Sequence, residues 1–220
     1  MARGQVAARM EGDIYQGLYF WFHAASLFVE RSRVVRVDLE HDAASGVDDV
    51  AVFYSDPGTN IGSGMCKADY YQVKYHVDLS SAYSPTAMID PQFIHAKSSL
   101  LARFLNAYER ISPDQPSIRL ILISNWAWDS NDRLATAIRA ADGALPEEFF
   151  TSSDRSELGK IRTNWRDHLG IADDHFRSFA RTLRFDLGAF GRSAFRQWVY
   201  DRLALAGLYV PPANQAACPY

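Results

Sequence analysis

Three short stretches of this 220-residue sequence carry side chains whose types and spacing could do chemistry. The segment "DYYQVKYHV" runs from Asp69 to Val77. Read as a strand, it alternates its faces, placing Tyr71, Val73, Tyr75 and Val77 on one side and Tyr70, Gln72, Lys74 and His76 on the other. The first set reads as core, the second as a polar row that a plain solvent-facing strand does not need. Upstream, "GVDDVAVFY" opens another strand with the adjacent pair Asp48 and Asp49, and "DLEHD" closes the strand before it with Glu40 and Asp42. Neighbouring strands of a meander bring their ends close together, so a carboxylate at the head of one would face the Gln-x-Lys pair on the next.

Such a set suits hydrolysis of a phosphodiester. That reaction calls for a divalent cation to neutralise charge developing on phosphorus and to activate a water. A hard cation such as Mg2+ takes oxygen ligands: a carboxylate, an amide oxygen, a backbone carbonyl, waters. A lysine beside it orients the attacking water or stabilises the growing negative charge. Gln72 and Lys74, two apart on one strand, point the same way and can serve one metal-bound water. Taken singly the signals are weak, since paired aspartates at a strand start more often make a turn, and Gln-x-Lys is more often a solvated face. By alternation Asp48 goes with Val50 and Val52, and Asp49 with Ala51 and Phe53; the pattern leaves open which of them meets the Gln-x-Lys row.

The elements that must position these groups follow from periodicity. After a loose start over residues 1–10, Gly12 to about Arg31 reads as a helix buried on a broad face, with Ile14, Leu18, Phe22, Ser26 and Val29 beside Tyr15, Tyr19 and Phe20. "VVRVDLE" (34–40), "VDDVAVFY" (47–54) and "ADYYQVKYHV" (68–77) read as strands, separated by turn chemistry at 41–46 and a Gly-, Ser- and Pro-rich loop at 55–64. Residues 91–111 read as an amphipathic helix with Phe93, Leu100, Leu101, Phe104, Leu105 and Tyr108 along one side. "SIRLILIS" (117–124) is the continuous apolar run of a fully buried strand. Ser124 and Asn125 at its end read as a helix cap. Beyond Asp129 the pattern turns helical, with helices expected near 130–141, 154–168, 172–184 and 191–206. The chain closes in "YVPPANQAACPY", a tail or the start of a linker, where the double proline stops regular structure.

In this order the motifs closely resemble the PD-(D/E)xK nuclease superfamily, through "GVDDVAVFY … YYQVKY". The opening "EGDIYQGLYFWFHAASLF" is similar to the helix preceding that core in one branch, the endonuclease domains of bacterial antiphage effectors, including cyclic-oligonucleotide-based (CBASS) systems. The matching residues are Gly12 with Tyr15 and Gln16, then Glu40, then Asp48 and Asp49, then Gln72 and Lys74. Gln72 stands where the superfamily most often has Glu, and an amide contributes no charge to a metal.

The resemblance covers residues 11–125 well and implies an α/β, restriction-endonuclease-like core (α-β-β-β-α-β) over 11–128, a helical C-terminal extension over 129–210, and a tail from 211. It implies Mg2+, with Mn2+ as a substitute, held by Asp49 and Gln72, with Glu40 supporting or binding a second ion, and Lys74 polarising the attacking water. Asp48, Gln16 and His76 are secondary candidates. It also implies a double-stranded DNA substrate cut with little sequence preference. Activation would come from a sensor or oligomerising module, fused or on a separate chain, with a homo-oligomer as the active form. A catalytically inert nucleic-acid-binding or assembly module on the same fold is the alternative.

Bulk composition is ordinary for a globular protein: 48% hydrophobic, 22% charged, formal net charge −3. That balance does not announce a nucleic-acid binder, and the basic residues of the C-terminal half are interleaved with aspartates. Two distant cysteines, Cys66 and Cys218, make no disulfide framework and point to a reduced, cytoplasmic protein. The apolar stretch at 18–29 is too short to span a bilayer and is interrupted by His23, so no membrane role is expected. A G-x-x-x-x-G-K phosphate loop is absent from the sequence, which argues against a P-loop nucleotidase.

Overall fold

The β-branched and aromatic runs pair into one sheet. In the computed structural model, which describes residues 2–55, 66–113 and 117–209, strands β1 (Val34–Leu39), β2 (Val50–Tyr54), β3 (Ala68–Lys74), β4 (Ile118–Ser124) and β5 (Leu183–Leu187) lie side by side in that order. β1, β2 and β3 make an antiparallel meander, whereas β4 runs parallel to β3 and β5 parallel to β4. The helices are α1 (Ala2–Ala24), α2 (Pro85–Ile89), α3 (Leu100–Ile111), α4 (Arg133–Ala137), α5 (Glu147–Thr151), α6 (Glu157–Leu169), α7 (Asp173–Ala180) and α8 (Arg192–Leu205). The loop expected after β2 and the tail from 211 lie outside the described residues, apart from Ser55.

Both faces of the sheet are covered, which makes this an α/β fold of three layers. Val50, Val52, Tyr71, Val73, Ile121 and Ile123 pack against Tyr15, Leu18 and Tyr19 of α1 and Phe195 and Val199 of α8. On the opposite face Ala51, Ala68, Tyr70, Leu120, Leu122 and Phe185 pack against Leu101 and Phe104 of α3 and Phe149, Trp165 and Phe176 of α5, α6 and α7. Burying side chains of this size contributes about 1.5–3 kcal/mol each. Trp165 also satisfies its one donor, giving its indole N–H to the Pro85 carbonyl at 2.9 Å.

Several expectations are corrected. The stretch expected to start loosely is helical from Ala2, and α1 stops at Ala24, giving way to a 3-10 turn at Ala25–Phe28. Its buried stripe is Tyr15, Leu18 and Tyr19, while Ile14 is 44% exposed. The helix expected over 91–111 begins only at Leu100. Asp90 and Pro91 start a separate 3-10 turn, His95 ends it in the left-handed region (φ 50°), and Ser99 then caps α3 by accepting from the Ala102 N–H. The run beyond Asp129 is not purely helical, because "LRFDL" at 183–187 forms β5. Period-two alternation of Leu183, Phe185 and Leu187 with Arg184 and Asp186 was the signal for it.

Among the described residues no helix is long and apolar enough to cross a membrane. Cys66 is free and buried, its Sγ donating to the Ala68 carbonyl and to Asp69 Oδ1 at 3.2 Å each, and burial pushes its thiol up to about 12. Cys218 lies outside the described residues.

Candidate metal and catalytic site

Strand register decides which aspartate meets the Gln-x-Lys row. Across the β2–β3 ladder Ala51 stands opposite Tyr70 and Val50 opposite Tyr71. Extending that pairing by one residue sets Asp49 against Gln72, on the face that carries Ala51 and Tyr70. The side chains meet accordingly: Gln72 Nε2 donates to Asp49 Oδ2, and the Val73 backbone N–H donates to the same oxygen at 2.6 Å. Gln16, reaching over from α1, donates from Nε2 to the Asp49 carbonyl at 3.2 Å.

Asp48 points elsewhere and does turn work. Its Oδ1 accepts the Gly46 N–H at 3.0 Å, and its carbonyl accepts the His41 N–H at 2.8 Å. Gly46 sits at φ +102°, and a side chain there would lie 3.3 Å from Arg103 Cβ, so α3 packs directly under this turn. Glu40 joins the group through the backbone. Its N–H donates to the Asp49 carbonyl at 3.2 Å, it holds φ +53°, and the residue is exposed.

The polar row on β3 is not a wet face, which corrects the simplest reading of the strand. Tyr70 and Gln72 are each 1% exposed, and Tyr70 belongs to the core. Lys74 ends the strand, paired in register with Ser124 of β4. Burial raises the Asp49 carboxyl above the ordinary carboxylate range, while Lys74, the Val73 N–H and Gln72 pull it back and Asp48 adds repulsion. Burial likewise lowers the Lys74 ammonium, Asp49 opposes that shift, and Arg103 of α3 reinforces it. Acid and base are thus each pushed toward their neutral forms, the signature of charges desolvated without enough countercharge. Arg103 escaped sequence reasoning because its approach depends on how α3 packs under Gly46.

His76 lies beyond the end of β3, so strand alternation with Lys74 does not reach it. Asn125 clamps its backbone, accepting the His76 N–H at 2.8 Å and donating to its carbonyl at 2.7 Å. The imidazole stacks on Trp126 with ring centres 3.5 Å apart, and burial, helped by Lys74, lowers it to about 4. Ser124 accepts the Trp126 N–H at 3.1 Å, a turn rather than a cap on a helix, since α4 starts only at Arg133.

The donor set fits a hard cation in part. Gln72 Oε1 is buried with no hydrogen-bond partner, an orphaned oxygen beside the Asp49 carboxylate. A divalent ion there would take that amide oxygen and the Asp49 carboxylate, and would reverse the push of Asp49 toward neutrality. Against this, no cluster of three or more His, Cys, Asp or Glu able to hold a metal exists among the described residues.

A second polar cluster went unnoticed in the sequence. Asp69, 1% exposed, accepts from Arg119 Nε at 2.6 Å and Nη2 at 2.5 Å, and from the Tyr54 hydroxyl at 2.7 Å. It belongs to the start of β3, away from Lys74 at its far end.

No family model matches the chain. Over 172 residues it is 33% identical to the protein named CD-NTase-associated protein 4 of Enterobacter hormaechei subsp. hoffmannii (strain UCI 50), a match that covers 77% of this chain and 34% of that protein. The chain thus spans about a third of the length of the curated relative it matches.

Proposed function

We propose that this chain carries a metal-dependent endonuclease site that hydrolyses DNA phosphodiester bonds, with double-stranded DNA cut at little sequence preference. The observation that carries the reading is the convergence of Asp49, Gln72 and Lys74 at the meeting point of β2 and β3, with the Gln72 side-chain oxygen Oε1 left unpartnered. Mg2+, or Mn2+ in its place, would supply charge neutralisation at phosphorus and an activated water when bound. Asp49 and Gln72 would hold it, Gln16 would fix the Asp49 backbone, and Glu40 would assist from the neighbouring strand end. Lys74 and Arg103 would face the negative charge that grows as the water oxygen bonds to phosphorus and the ester P–O bond breaks, leaving a phosphate monoester and a hydroxyl.

The relative's name associates that protein with a CD-NTase, and on that ground we read this chain as the effector part of an antiphage defence system of the CBASS kind. Cutting would then be switched by a sensor module, fused or separate, or by assembly of copies. The second reading, an inert nucleic-acid-binding or assembly module, is favoured by the bonds Asp49 already receives from within the protein and by the sparse carboxylate set.

Plasmid cleavage at high protein concentration, with Mg2+, Mn2+ or EDTA, separates the two. Metal-dependent nicking or linearisation that Lys74→Ala and Asp49→Ala both abolish, by about 100-fold or more for loss of such a charge-stabilising group, supports the nuclease. Cutting that survives both substitutions removes these residues from the mechanism. DNA retention without cutting, also after a CBASS sensor module is supplied, supports the inert module.

A further inference from the structure

On the face of the sheet opposite Asp49 and Gln72, beside the helices α1 and α8, lies a cavity of about 590 Å3. Its floor is apolar, formed by Tyr71, Ile121 and Ile123, and the segment 138–143 folds along β5 to make its far wall. That wall is fixed: the Phe185 N–H donates to the Gly143 carbonyl at 2.9 Å, and Gly143, at φ +67°, lies so close to β5 that a side chain would meet the Phe185 carbonyl oxygen at 2.5 Å. The volume is in the range of small-molecule sites.

The charged groups on the walls are unequally committed. Arg119 is spent on Asp69, and Arg139 on Asp142, each through two nitrogen–oxygen bonds. Arg184 is not. One of its terminal nitrogens donates to the Arg181 and Leu183 carbonyls at 2.8 and 2.7 Å, but its Nε stands 3.8 Å from Asp142 and has no hydrogen-bond partner, although the residue is only 7% exposed. Trp128, which also lines the cavity but packs on Phe185 of the opposite core, buries its indole N–H unpartnered as well. Two residues along β5, on the same face as Arg184, Asp186 lines the cavity and makes no ion pair among the described residues.

Buried donors left unmade cost about 1–3 kcal/mol each, so these two mark a region where the fold gives up stability. The Arg184 guanidinium and the Asp186 carboxylate, set over an apolar floor, are complementary to a molecule with the opposite pattern of charge. We propose that this cavity binds a small amphoteric molecule of amino-acid size, its carboxylate at Arg184, its protonated amine at Asp186, and its apolar body on Ile121 and Ile123. At Arg184 the second terminal nitrogen, which makes no hydrogen bond among the described residues, would donate to the carboxylate in a charge-assisted bond. The inference does not depend on the nuclease reading, which concerns the other face of the sheet.

Isothermal calorimetry and thermal shift on this chain test it, with L-leucine and L-tryptophan as probes and N-acetyl-L-tryptophan and L-tryptophanamide as controls lacking one charge each. Saturable binding of at least one amino acid is expected, weakened about tenfold or more in both controls, which is roughly the loss of one charged contact. Asp186→Asn should weaken binding by a similar factor while the unliganded melting temperature holds, and Arg184→Met should remove it. Absence of saturable binding by both amino acids overturns the proposal. So does equal binding of the N-acetyl control, which would leave Asp186 without a role, or binding that Asp186→Asn and Arg184→Met leave unchanged.

Discussion

Replacing Gln72 by Glu isolates the electrostatics of the candidate site. In the native chain the Gln72 amide donates to Asp49 Oδ2, and the residue is 1% exposed. Gln72→Glu removes that donor and sets a second carboxylate against the first. The lost bond to a charged acceptor is worth about 1.5–3 kcal/mol. Two like charges about 4 Å apart at an effective dielectric near 20 repel by about 4 kcal/mol, a figure that proton uptake by one carboxyl reduces. Without metal the variant should therefore be about 3–5 kcal/mol less stable, a fall in melting temperature on the order of 10 °C for a domain of this size. A divalent cation bound between the two carboxylates converts the repulsion into attraction. The shift in melting temperature on adding Mn2+, or Ca2+ as a probe that need not support cutting, should then be several degrees larger in Gln72→Glu than in the native chain. Thermal melts with EDTA and with each ion read this directly, and calorimetry gives the affinities. A variant as stable as the native chain in EDTA would show that residue 72 does not oppose Asp49. Equal ion responses in the two chains would show that no cation sits between them, and the metal assignment would fall.

Other outcomes follow from the same structure. Asp69→Asn should cost about 3–5 kcal/mol in denaturant unfolding, because it strands the Arg119 cation with only 12% of its side chain exposed, whereas replacing both partners by apolar residues of similar size should cost less. His23 and His76 are both held near 4, below the ordinary 6.5, chiefly by burial, so each takes up its proton more readily in the unfolded chain. Their contribution is fully present above pH 6.5 and is lost as pH falls through the window from 6.5 toward 4, by about 2 kcal/mol at pH 5 for the deeply buried His23 and by less for His76, which solvent screens in part. Unfolding free energies measured from pH 7 to pH 4.5 should show that slope, and His76→Gln should flatten it.

Much of the sheet was legible. The strands at 34–40, 47–54 and 117–124 announce themselves by β-branched runs bounded by turn residues, and the resemblance points to Asp49, Gln72 and Lys74. The errors have identifiable causes. Residues 91–99 carry helical periodicity, but Pro91 and the left-handed His95 break the backbone before Ser99 can start a helix. The alternation of "LRFDL" was too short to stand out among helical segments, and its identity as a strand is secured by a non-local partner, β4.

What the sequence determined by itself is local: the period of each element, its caps, and the chemistry two residues apart on one strand can share. Alternation could not choose Asp49 over Asp48, because it assigns faces only relative to neighbours on the same strand, and the resemblance alone preferred Asp49. Register between β2 and β3 sets Ala51 across from Tyr70 and so turns Asp49 to Gln72. Only the tertiary structure covered that face with α3, making buried what would otherwise be a wet polar row and pushing Asp49 and Lys74 toward neutrality. Desolvation depends on everything packed around a group, and packing between elements distant in sequence is not written in the spacing of either one.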